Sequence, residues 1–83
     1  MLKNIAQACE LQAIIKTKQD KAEALNREIG RIRASYRGMS DSQLAEAVRD
    51  VAGMHREEME LKDYIAKAKA EVMAFYAPQY HTA

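Results

Sequence analysis

A seven-residue repeat of mostly apolar side chains fills both halves of this chain, which are separated by Ser35-Tyr36-Arg37-Gly38-Met39-Ser40. In the first half, Ala8, Ile15, Ala22, Ile29 and Tyr36 form one column, and Leu11, Lys18, Leu25 and Ile32 form a second, three residues on. In the second half the columns are Leu44, Val51, Glu58, Ile65 and Val72, and Ala47, Met54, Leu61, Ala68 and Phe75. An a/d pattern held over about four heptads makes a helix with one seam to bury against another helix. The expected fold is therefore all-α: an antiparallel two-helix hairpin with a coiled-coil-like seam, its helices spanning about 2–36 and 41–76.

The punctuation agrees. Gly38 suits a left-handed helix terminus, and Arg31, Arg33 and Arg37 lie at the negative end of the first helix dipole. Ser40 and Gln43 read as a capping box that opens the second helix, and Pro78 is expected to stop it near Tyr76. This gives one hairpin domain over 1–77 and a flexible tail over 78–83. Folding the chain about Gly38 opposes residues whose numbers sum to 76. Ile32 then meets Leu44, Leu25 meets Val51 and Leu11 meets Ile65. Each helix carries one charge in its seam, and these also meet: Lys18 and Glu58 form an expected structural pair that penalises register slips.

With 83 residues and two long helices, there is no centre deep enough for a globular core. The second helix carries further apolar residues beside its seam: Ala45, Val48, Ala52, Met59, Ala66, Met73 and Tyr76, interrupted by His55, Lys62 and Lys69. With Tyr80 in the aromatic C-terminal patch, these are the candidate protein-interaction residues. Apolar surface on a second side of a helix calls for another partner, and a homodimeric four-helix bundle is the simplest answer. The methionines suit an adaptable surface.

Other classes fare worse. No glycine-rich phosphate loop occurs, and Cys9, the one cysteine, has no histidine near it in sequence or in the expected hairpin, so no catalytic residue is assigned. His55 and Glu58 share a helix face, but two ligands do not make a metal site; no metal or other cofactor is expected, nor a small-molecule substrate. A helix-turn-helix around Gly53 would need a small residue where Arg49 stands and an apolar one where Lys62 stands. No apolar run is long enough to span a membrane and no secretory leader is visible, and the lone cysteine fits a reducing cytoplasm.

Charge supplies the main alternative. Residues 1–40 hold eight Lys/Arg against four Asp/Glu and residues 41–83 hold five against eight, within a formal net charge of +1. Opposite signs favour folding the halves together. Arg27, Arg31, Arg33, Arg37 and Arg49 fall near the turn and would serve a small nucleic-acid-associated regulatory protein, although Glu28, Asp41, Glu46 and Asp50 share that end. The favoured expectation is a non-enzymatic protein–protein interaction module, such as a small adaptor, co-chaperone or protein inhibitor.

Overall fold

A computed structural model describes residues 2–80 and, for 78–80, the backbone alone. Helix α1 runs Ile5–Ala34, a single 3-10 turn spans Tyr36–Gly38, and helix α2 runs Asp41–Tyr80. There is no strand among the described residues. The two helices pack as a hairpin measuring 63 × 21 × 17 Å, with a radius of gyration of 18.5 Å. A compact chain of this length would have a radius near 12 Å. The rod shape follows from a seam with no second layer behind it.

Both helices begin on caps written in the sequence. Asn4 is extended, and its side chain accepts from the Gln7 backbone N–H at 2.9 Å, while the Lys3 N–H donates to Gln7 Oε1 at 2.7 Å. This cap sets the start of α1 at Ile5, later than the expected residue 2. At α2 the expected box forms: the Gln43 N–H donates to Ser40 Oγ at 3.3 Å, and the Ser40 N–H donates to Gln43 Oε1 at 3.0 Å. Two orphan donors are thereby satisfied at the entry of α2 and one at that of α1, where the N–H preceding the cap is held as well.

The turn and the C-terminal end differ from expectation. No glycine has a positive φ, so Gly38 is not a left-handed terminus. The chain instead leaves α1 through tightened i→i+3 bonds, from the Ser35 N–H to the Ile32 carbonyl at 3.0 Å, Gly38 to Ser35 at 3.3 Å and Met39 to Tyr36 at 3.2 Å. These satisfy terminal carbonyls by a route that needs no mirror-image backbone. At the other end α2 continues through Pro78 to Tyr80, beyond the expected stop at Tyr76. Proline removes one N–H, and so close to a helix end that loss falls on the last turn alone. Residues 81–83 of the expected tail lie outside the described residues.

The heptad columns form the core. Ala8, Ile15, Ala22, Ile29, Ala47, Val51, Leu61, Ile65, Ala68 and Val72 are buried, and Glu58 is buried among them. The other seam residues, including Leu11, Lys18, Leu25, Leu44, Met54 and Phe75, are half-buried. The main cluster, Ile15, Ile65, Ala68 and Val72, lies toward the open end and is covered by Leu2, Leu11 and Tyr76. Helix α2 has 40 residues against 30 in α1, so its far end outreaches α1. The extended segment before α1 reaches over that overhang, where Leu2 lines a pocket with Ala74 and Phe75.

Candidate interaction surface

Glu58 shows how the waist of the hairpin is organised. Its carboxylate is approached at 3.5 Å by His55 Nδ1, three residues back, and at 3.5 Å by Lys62 Nζ, four residues on. The expected Lys18–Glu58 pair is therefore not formed. Lys18 sits with its ammonium 4.7 Å from the centre of the Tyr64 ring, where the ring face attracts it at low desolvation cost. The inter-helix ion pair of this region is Lys21–Glu57 at 3.0 Å, on the flank of the seam. Helix periodicity explains the exchange: i+3 and i+4 neighbours reach a carboxylate without crossing the interface.

The apolar residues beside the seam divide in two. Met73 is 71% exposed, Met59 56% and Val48 49%, and Ala45, Ala52 and Ala66 are exposed as well. Tyr76 departs from them: it is half-buried, covers the core cluster and meets Phe75 edge-to-face at 5.0 Å. It belongs to the fold. The side chain of Tyr80 lies outside the described residues, although its backbone ends α2.

Ala45, Ala52, Met59, Ala66 and Met73 also recur every seven residues, one position after Leu44, Val51, Glu58, Ile65 and Val72. They form a third column that winds with the seam along residues 45–73 of α2. Each lies about 100° around the helix from the seam residue before it, too far to reach α1. Between this column and α1 runs a shallow groove lined by Gln19, Glu23, Lys62, Ala66 and Lys69, continued by Gln12 and Met73. Ile5 and Ile14 on α1 are also exposed. The accessible surface is 6409 Å², about 1,400 Å² above the roughly 5,000 Å² of a compact monomer of this mass.

Among the turn arginines, Arg27 and Arg49 do not converge. Arg27 is two residues from buried Ile29, and Arg49 is two residues from both Ala47 and Val51. Two residues turn a side chain about 200°, so each arginine lies on the outer side of its own helix, and the two face opposite ways. Arg31 is held by Glu28 through a bidentate pair, which pushes the Glu28 carboxyl below its ordinary range and raises the Arg31 guanidinium. Arg33 and Arg37 remain exposed at the turn.

Cys9 is a free, exposed thiol on α1. Among the described residues no three His, Cys, Asp or Glu side chains are grouped to hold a metal ion, and no helix is long and apolar enough to cross a membrane. No protein-family model matches the chain, and no curated protein or solved structure is significantly similar to it. The surface must therefore be judged on its own chemistry.

Proposed function

We propose that this hairpin is a non-enzymatic protein-interaction module of the cytoplasm, in the manner of a small adaptor, co-chaperone or protein inhibitor. Its working face is the α2 column of Ala45, Ala52, Met59, Ala66 and Met73, with Val48 at its edge. It acts by occupying a helical or apolar surface, with a second hairpin or a different protein completing a bundle of coiled-coil type. The observation that carries this reading is the exposure of Met59 and Met73, 56% and 71%, on a continuous apolar column. Such a column exceeds what an isolated hairpin has reason to present to water.

The test is affinity capture with the wild type and with Ala52→Glu, Met59→Glu and Ala66→Glu. The expected result is loss of the wild type's bound proteins with unchanged far-UV circular dichroism. Arg31→Ala and Arg33→Ala should leave binding intact. Retention by all three stripe variants, or loss only with the arginine variants, would refute the assignment.

A further inference from the structure

Resting on that reading, we propose that the occupant of the α2 column is a second copy of this chain, laid antiparallel along α2 with a two-fold axis beside Met59. The column itself is the first argument. Met59 is its middle member, so an antiparallel copy centred there opposes Met59 with Met59, Ala52 with Ala66 and Ala45 with Met73 of the second copy. Small residues meet small or large ones, and the one large–large layer is methionine, which adapts its shape. The column spans about 42 Å at 1.5 Å per residue, and a stable interface needs about 800 Å² from each partner.

Charge selects the orientation. The outer flank of the column holds Arg49, Arg56, Asp63 and Ala70. About the Met59 axis, Arg56 falls within about 1.5 Å, measured along the helix, of Asp63 of the second copy, and symmetry repeats the pair. Arg56 has no carboxylate partner among the described residues, and Lys67 takes Oδ2 of Asp63 at 3.0 Å, leaving Oδ1. On the inner flank, His55 and Lys62 are engaged by Glu58. A parallel pair would instead set the outer flank against the inner flank of the second copy, placing Arg56 beside His55 with no carboxylate and Asp63 beside Lys62, which Glu58 already engages.

Cross-linking tests both the occupant and the register. In a Cys9→Ala background, Met59→Cys should link to itself through a disulfide or a short bis-maleimide. Ala52→Cys and Ala66→Cys should each fail alone, because their two copies stand about 21 Å apart, yet link when mixed. Light scattering should give twice 9.4 kDa for the wild type. Arg56→Asp should weaken the dimer about tenfold, and Arg56→Asp/Asp63→Arg should restore it. A wild type monomeric at all concentrations, or self-linking of Ala52→Cys without Met59→Cys, would overturn the inference. A monomer would leave the proposed function standing, since the stripe variants still report on a foreign partner. A Met59-centred dimer whose stripe variants capture the same proteins as the wild type would refute the proposed function alone.

Discussion

Gly53→Ala should make this protein more stable. Gly53 lies within α2, which runs through it without a break, and a methyl group built at its Cα would meet nothing within 4 Å. The glycine therefore neither admits a close neighbour nor marks a break, and its cost is the backbone entropy lost on folding. Alanine in a helix interior is better by about 0.8–1 kcal/mol. Gly30 occupies the equivalent situation in α1, with the same open space. Since neither added methyl has a neighbour to share, the two gains should add, to about 1.6–2 kcal/mol. For a chain of this size each kcal/mol raises Tm by roughly 4–8 °C. The assay is thermal melting by far-UV circular dichroism at one fixed protein concentration, because self-association makes Tm depend on concentration. An unchanged or lowered Tm for Gly53→Ala, beside a gain for Gly30→Ala, would refute the unbroken, unobstructed α2 described above.

Three further outcomes follow from the packing. Glu58→Leu should stabilise the hairpin by about 1–3 kcal/mol in urea unfolding, since it replaces a buried carboxylate whose partners, His55 and Lys62, are exposed enough to return to water; a fall in the unfolding midpoint would count against that account. Ser40→Ala removes the hydroxyl that caps Gln43 and should cost about 1 kcal/mol, read as a lower urea midpoint at unchanged slope. The Glu28 carboxyl is held low chiefly by its hydrogen bond to Arg31, so this pair's support is complete above the ordinary carboxylate range and is lost as pH falls through the lowered value. Glu28→Gln should therefore remove a small acid-limb dependence of helicity that is visible in low salt and screened in high salt; an acid limb unchanged by the substitution would refute it.

The seam was legible because its signal repeats. An error at one position of a heptad column is outvoted by the others, and every seam residue from Ala8 to Phe75 is buried or half-buried. Single-position signals fared differently. Asn4 and Gln7 carried the α1 cap in plain view, but the helix-forming residues around them hid it. The Lys18–Glu58 pairing was inferred from register, yet long side chains choose among several neighbours within reach. Glu58 took two on its own helix, and Lys18 took an aromatic face whose position depends on the twist between helices. Pro78 and Gly38 were read from average preferences that the ends of these helices did not need. Arg27 and Arg49 show a geometric limit: closeness in register says nothing about the side of the helix on which a residue stands.

The hairpin is fastened differently at its two ends. The turn end is joined covalently and capped by Ser40 and Gln43, while the open end is held by the cluster of Ile15, Ile65, Ala68 and Val72 under Leu2 and Tyr76. Between them the seam carries Lys18 and Glu58, its two charged members. Local opening is cheapest where apolar contact is thinnest, so among the interior turns of the helices, away from their fraying termini, amide exchange should be fastest around this midsection. Met59, the centre of the exposed α2 column, stands beside Glu58 at that level. Whatever docks on the column therefore braces the least secure part of the seam from outside, and the breathing of the midsection becomes a gauge of occupancy.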